Sequence, residues 1–132
     1  MLYAFLCYNS EEIVGSWTKE EDAMVMARLS AVHERLSAQG RMGPALRLTP
    51  STAATTLRKR GKGRRLEAGG EPPVVLDGPF AETKEQLLGF HLIECASLDE
   101  ALDVARELGA ANPGGAYEIR PVALYLPGGT LT

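Results

Sequence analysis

The sequence is poor in the side chains that build metal centres and disulfide frameworks. Its 132 residues include two cysteines, Cys7 and Cys95, and two histidines, His33 and His91. Zinc sites need such ligands in close, regular spacing, and these four are scattered. Phosphate-cradling glycine loops and nucleophile elbows are also missing. We therefore predict no metal and no cofactor, and we expect both cysteines to be buried, reduced thiols.

Long hydrophobic runs are missing as well. No apolar stretch approaches the roughly 20 residues needed to cross a bilayer, although 45% of the chain is hydrophobic. The start, "MLYAFLCYNSEE", has no basic leader and no small-residue cleavage site. We expect a cytoplasmic protein without membrane contact, built as a single domain over residues 1–132.

Positively charged side chains are concentrated in one short segment of the chain. The net charge is −3, yet six of the fourteen Lys and Arg residues fall in residues 58–65, "RKRGKGRR". Gly61 and Gly63 predict a turn there, and no aromatic residue interleaves for base stacking. A solvated loop is favoured, and nucleic-acid binding is disfavoured although basic patches serve it elsewhere.

The remaining pattern alternates strands with two helices. "LYAFLCY" predicts a strand, followed by a polar connection over residues 9–15. Thr18 and Glu21 form a capping-box pattern, and Gly40 predicts the helix end. Between them, apolar residues recur at helical spacing. They are Val25, Leu29, Val32 and Leu36.

The second half repeats this order. Residues 42–48 and "GFHLIECA" predict strands, and Ser97 with Glu100 opens a helix that Gly109 is expected to close. "AYEIRPVALYL" predicts the last strand. Residues 52–77 are predicted as an inserted β-hairpin.

Without that insertion the order is β-α-β, β-α-β. This predicts an α+β fold, a ferredoxin-like split βαβ plait with both helices on one face of an antiparallel sheet. Strands that are apolar on both faces need a cover on the other side. We expect a homodimer with sheets packed face to face, forming a dimeric α+β barrel.

An ordered set of motifs resembles one family over nearly the whole chain. The set comprises "LTPSTAATTLR", the "DGPF" of residues 77–80 with the following "AETKEQLLGF", "SLDEAL" and "YEIRP". It is similar to the YCII-related, DGPF-type family of small bacterial proteins. The resemblance implies a dimeric α+β barrel, and for some members a genetic link to sigma factors.

Relatives in the wider group are proposed to use a histidine on the first helix with an aspartate after the second helix, and one branch is linked to dehydrochlorination of an aromatic compound. Counting back from Gly40 aligns that histidine with Leu29 rather than His33, and the aspartate with Asn112. Neither replacement exchanges a proton near neutral pH. The family dyad is therefore not expected in this chain, and His33 is interpreted as a boundary residue.

The stretch "LDGPFAETKE" has two open interpretations. In the structural one, Pro79 and Gly78 set a turn, Asp77 accepts backbone hydrogen bonds, and Phe80 anchors the turn against the core. In the functional one, Asp77 is an acid/base group and Gly78, Pro79, Phe80, Glu82 and Lys84 bind a ligand. For residues 82–85 the alternative is a solvated helical turn with local ion pairs, which is favoured for Glu85.

The following strands add three candidates. Alternation puts His91 on one face with Ile93 and Cys95, either as a proton-transfer group or as a satisfied core histidine. Glu118 and Arg120 share a face of the last strand, where they form a structural ion pair or bind a carboxylate or phosphate.

Two functions follow as hypotheses. In the first, a small organic molecule binds in a cavity between the sheets, lined by Asp77, Phe80, His91 and Arg120, with possible acid/base chemistry such as proton transfer or elimination. In the second, the chain is a non-enzymatic regulatory or protein-interaction module linked to sigma-factor control. The sequence does not decide whether the protein is an enzyme.

Overall fold

The computed structural model describes residues 1–59 and 72–131. In chain order the elements are β1 (Leu2–Asn9), α1 (Glu11–Gly15), α2 (Lys19–Ala38), β2 (Met42–Arg47), β3 (Thr55–Arg58), β4 (Val74–Asp77), β5 (Gln86–Glu94), α3 (Leu98–Ala111) and β6 (Ala116–Pro121). The predicted turn at Gly61–Gly63 and most of the basic segment lie outside the described residues.

Four strands form one antiparallel sheet in the order β2-β5-β1-β6. With the hairpin set aside, this is the strand order of the ferredoxin-like α+β plait, as the sequence predicts. The chain divides into two compact units, one made of Met1–Leu48 with the segment from Glu85 onward, and one of Thr49–Lys84. The second unit holds β3 and β4, which pair antiparallel from Thr55↔Asp77 to Arg58↔Val74.

Both long helices pack on one face of the four-stranded sheet. Along β1, alternate side chains are buried, and Tyr3 and Phe5 join one hydrophobic cluster with Ile93 of β5. The same cluster contains Val25, Leu29 and Leu36 of α2 and Ala101, Val104 and Leu108 of α3. The residues that alternate along the strands and those that recur every 3.6 residues along the helices thus pack into one core, as the sequence pattern predicts.

Local signals set the bounds of α2. The Thr18 hydroxyl accepts from the Glu21 N–H at 3.1 Å, and the Glu21 carboxylate accepts from the Thr18 N–H at 3.0 Å. At the other end Gly40 has φ 69°. The Arg41 N–H then reaches the Leu36 carbonyl and the Gly40 N–H reaches that of Ser37, which is a Schellman closure.

Five expectations about the elements are wrong or incomplete. Residues 9–15 are not all connection, because Ser10 caps the short helix α1. Gly109 does not end α3, which continues to Ala111. The cap predicted from Ser97 and Glu100 is only half of a capping box: the Ser97 hydroxyl accepts from the Glu100 N–H, but the Glu100 carboxylate accepts from the Ala96 N–H rather than from that of Ser97.

The last two concern residues 82–85 and the end of β6. Residues 82–85 are not helical. Strand β6 stops at Pro121 instead of running to Leu126. The Val122 N–H still bonds to the Leu2 carbonyl. Because the partner strand β1 begins at Leu2, β6 has nothing to pair with beyond that point.

Candidate functional site

The residues of the "DGPF" stretch lie in the second unit and are largely solvent-facing. Asp77 ends β4, and the turn is held by the Gly78 N–H on the Ala54 carbonyl and by the Thr56 hydroxyl on the Gly78 carbonyl, each at 2.8 Å. Gly78 has φ 99°, a conformation that favours glycine. The expected anchoring of Phe80 in the core is wrong, because its side chain is 75% exposed. It instead lies under the Arg58 guanidinium, 5.1 Å from the ring centre.

Most of the other site candidates of this stretch are exposed as well. Asp77, Glu82 and Lys84 are exposed, while Gly78 and Pro79 are partly buried. Within its unit this group forms a turn at the end of a two-stranded hairpin. Its role in ligand binding stays a prediction.

In the first unit, His91 lies on one face of the sheet, and Glu118 and Arg120 lie on the other. His91 faces Phe5, which faces Ile119 on the next strand, so these side chains point to the helices. Arg120 faces Ala4 and Glu118 faces Leu6, on the opposite side of the sheet. The expectation that His91 and Arg120 both line a cavity between the sheets is therefore wrong, because strand alternation points their side chains to opposite faces and turns His91 toward the helices.

A cavity of about 330 Å³ lies on the helix side of the sheet, beside His91. Its apolar walls come from the segment after β1, from α2, and from β2 and β5. They include Val14, Trp17, Val25, Met26 and Leu29. Polar groups reach it from Cys7, His33, Arg47, His91 and Asn112. Apolar walls with a few convergent polar groups are typical of small-molecule sites.

The close approach of β2 and β5 shapes the floor of this cavity. A side-chain carbon at Gly89 would lie 2.1 Å from the Leu46 carbonyl oxygen, so no larger residue fits there. Ala45 faces His91 and Arg47 faces Gly89 across the two strands. On this floor His91 therefore has Ala45 as its neighbour across the strands, and Arg47 has Gly89, so each long side chain lies beside a small one.

The two histidines form a directly bonded pair. His33 Nε2 lies 3.0 Å from His91 Nδ1, with ring centres 4.9 Å apart and planes at 64°. Position 33 follows Leu29 by one helical turn, so α2 presents both to the same side. Fifty-eight residues separate the partners in sequence. The sequence interpretation of His33 as a mere boundary residue missed this contact.

Burial keeps this pair neutral. Desolvation, and secondarily the charge of a protonated His33, lowers the pKa of His91 from 6.5 to about 4. Burial also lowers the pKa of His33. At neutral pH both rings are uncharged, so one N–H donates and the facing nitrogen accepts.

The outer nitrogen of His91 is available to a ligand. Among residues 1–59 and 72–131, every fully buried side-chain nitrogen or oxygen has a hydrogen-bond partner. The bond that the His91 ring makes there uses Nδ1. Nε2 therefore borders open space, and we infer that this space is the cavity that His91 lines.

A second polar group lies at the end of α3. Asn112 caps the helix and donates from Nδ2 to the Tyr117 hydroxyl at 3.4 Å and to Cys7 Sγ at 3.7 Å. Burial raises the pKa of the Cys7 thiol and of the Tyr117 hydroxyl, so both stay protonated at neutral pH. Cys7 is thus a neutral thiol rather than a nucleophile.

Arg47 lies at the cavity with its guanidinium paired to Asp22 of α2, at 2.8 and 3.3 Å. The guanidinium holds the pKa of Asp22 below its usual range. Sequence reasoning missed Arg47, because the ladder between β2 and β5 shifts register between Met42 and Ala45. Counting alternation from the start of β2 therefore fails to place it.

Neither a metal site nor a membrane span is found in the part of the chain that the structure describes. No group of three or more His, Cys, Asp or Glu side chains in residues 1–59 and 72–131 is arranged to hold an ion. Over the same ranges, none of the helices combines the length and apolar character required to span a bilayer.

Comparison with known proteins gives one consistent result. A family model described as "YCII-related domain" matches residues 1–125. An uncharacterised protein of Rhizobium meliloti (strain 1021) is 59% identical over 129 residues, which cover 97% of each chain.

Proposed function

The chain belongs to the YCII-related domain family, and we propose that it binds a small organic molecule in the cavity between α2 and the sheet and exchanges a proton with it at His91. The observation that supports this proposal is the His33–His91 pair, a 3.0 Å bond between two neutral rings beside an apolar cavity. An imidazole that is neutral at pH 7 keeps one ring nitrogen unprotonated, and that nitrogen accepts a proton in general base catalysis.

The pair has two neutral states, which differ in the tautomer of both rings. When His33 Nε2–H donates to His91 Nδ1, His91 carries its proton on Nε2 and acts as an acid toward the cavity. When His91 Nδ1–H donates, its Nε2 is bare and acts as a base. The tautomers of the two rings together thus set the role of His91.

His33 is suited to take up the charge that proton abstraction creates. A proton moves from the ligand to His91 Nε2, the Nδ1 proton passes to His33 Nε2, and the ligand keeps the electron pair of the broken bond. The positive charge then rests on His33, which is the less buried ring of the two. Returning the proton along the same route to the same or a neighbouring ligand atom completes exchange or isomerisation.

Deuterium exchange tests this function without knowledge of the natural substrate. A panel of small carbonyl compounds is incubated with the protein in D₂O, and NMR follows deuterium entering at carbon next to the carbonyl. We expect exchange that His91→Gln reduces at least 100-fold, since general acid–base groups contribute about 10²–10⁴-fold. Glu118→Gln, on the opposite face, is the matched control. Exchange that survives His91→Gln, or no exchange with any compound, contradicts the proposal.

We further propose that the chain is a homodimer in which the sheet face opposite the helices is covered by a second copy. Leu6, Phe90 and Leu92 alternate with the buried residues of β1 and β5, so this face is apolar although α2 and α3 do not cover it. Sedimentation at micromolar concentration is expected to give twice the mass of one 14.2 kDa chain. A well-folded monomer at that concentration contradicts the dimer.

A protein-interaction role is the alternative that a specific observation favours. The hairpin of the second unit exposes Leu57 and Val75, which face each other across its two strands, by more than half of their surfaces, and exposed apolar patches mark binding surfaces. If this role is the main one, Leu57→Ser with Val75→Ser abolishes complex formation with a purified partner, while His91→Gln leaves it unchanged. The opposite pattern favours the cavity.

A further inference from the structure

Arg47 gives the lining of the cavity a positive charge. Among the cavity-lining residues that the structure describes, it is the only one with a formal charge at neutral pH, because both histidines are neutral. Its side chain is about half exposed, which puts the guanidinium at the mouth of the cavity rather than in its depth. A cation at the mouth of an otherwise neutral, apolar cavity attracts anionic molecules.

Arg47 and His91 occupy opposite corners of a small patch of the floor. Arg47 faces Gly89, Ala45 faces His91, and all four line the cavity. Successive residues on one face of a strand are about 7 Å apart. The two corners between them carry a hydrogen and a methyl group, so no bulky side chain fills the space that joins the cation to the proton-exchanging ring.

The pairing with Asp22 leaves donors on Arg47. A guanidinium has five N–H donors, and Asp22 accepts from Nη1 and Nη2 only, with one bond at 2.8 Å and a longer one at 3.3 Å. A carboxylate of a ligand is able to share the guanidinium from the cavity side. Asp22 would then oppose binding by like-charge repulsion, which provides a test with a defined sign.

We propose that the ligand is a small carboxylic acid with an apolar body, bound as its anion. Its carboxylate is held by Arg47, its body lies over Ala45 and Gly89, and the atom that exchanges a proton lies at His91. This inference rests on the proposed function, because it assumes that the cavity is the ligand site. It adds the substrate class and assigns Arg47 as the residue that selects it.

Binding of a matched pair of probes tests the charge preference. The probes are 3-phenylpropanoate and its neutral amide, 3-phenylpropanamide, titrated at pH 7 and low salt by calorimetry. We expect the acid to bind about tenfold more tightly than the amide, since a charge-assisted bond to a half-exposed arginine lies at the lower end of its usual strength. Raising the salt concentration should weaken the acid selectively.

Three variants test whether Arg47 causes the preference for the acid over the amide. Arg47→Gln is expected to bring the acid to the affinity of the amide. Asp22→Asn is expected to tighten the acid a few-fold and leave the amide unchanged. Arg28→Gln removes the same charge from an exposed position of α2 that does not line the cavity, and it should change neither affinity appreciably.

The outcomes separate this inference from the proposed function. Equal binding of acid and amide, or a preference that survives Arg47→Gln, overturns the role of Arg47 and leaves proton exchange at His91 standing. If neither probe binds at millimolar concentration, the carboxylate preference is contradicted, and deuterium exchange alone decides the function proposed for His91. An acid that binds preferentially, while His91→Gln has no effect on deuterium exchange, supports Arg47 and overturns the function assigned to His91.

Discussion

His91 makes the stability of the fold depend on pH in a way that the structure quantifies. Its pKa is about 4 in the folded chain and 6.5 in an unfolded one. Because the folded value is the lower one, the contribution is fully present above pH 6.5 and is lost as the pH falls toward 4. At pH 5 an unfolded His91 is almost fully protonated while a folded one is mostly neutral. That difference costs the folded state about 2 kcal/mol.

Substitution by glutamine isolates this contribution. His91→Gln removes the titrating group and keeps a side-chain amide that bonds to His33. Groups that do not contact the pair, such as the Asp22 carboxylate, titrate alike in both proteins. Subtracting the unfolding free energy of the variant from that of the wild type therefore cancels them.

Urea unfolding at fixed protein concentration supplies the measurement. We compare the unfolding free energy of the wild type minus that of His91→Gln at two pH values. We expect this difference to be about 2 kcal/mol smaller at pH 5 than at pH 7.5. A difference that stays constant over this range would show that His91 titrates normally in the folded chain. The neutral pair, and the base proposed from it, would then be refuted.

Further predictions concern the elements that build the cavity, each checked by urea unfolding followed by circular dichroism. Gly89→Ala is expected to destabilise by several kcal/mol or prevent folding, because its methyl group would lie 2.1 Å from the Leu46 carbonyl oxygen; a midpoint equal to wild type contradicts the close approach of β2 and β5. The matched Gly109→Ala meets nothing within 4 Å inside α3 and should stabilise by about 0.5–1 kcal/mol. Thr18→Ala should cost about 1 kcal/mol through loss of the α2 cap, and an unchanged midpoint would mean that water replaces the hydroxyl.

The parts of the fold that sequence predicts well are those fixed by neighbours along the chain. The bounds of α2 follow from Thr18, Glu21 and Gly40, all of which act within one or two turns. The facing of β5 follows from its two-residue alternation. The helix end predicted at Gly109 was wrong because a glycine within a helix costs about 1 kcal/mol, which burial of Leu108 and Ala111 on either side offsets.

The site was only partly predictable, because its members meet across the chain. Alternation puts His91 and Ile93 on one face, and the sequence resemblance aligns the dyad proposed for other relatives with Leu29 and Asn112, which also line the cavity. The bond between His33 and His91 spans 58 residues, and no local signal reports it. Arg47 was hidden by the register shift in β2. In contrast, the conspicuous "DGPF" letters describe a turn whose geometry needs Gly78, and its Phe80 is exposed.

The most direct test of the neutral histidine pair is an NMR titration of the two rings, assigned by comparing wild type with His33→Gln and His91→Gln. We predict that His91 stays neutral from pH 7 down to about pH 4, and that its ¹⁵N shifts show two nitrogens in unlike states joined to His33. Titration of His91 near pH 6.5, with both nitrogens averaged as in a free imidazole, would contradict the pair and the proton exchange proposed from it.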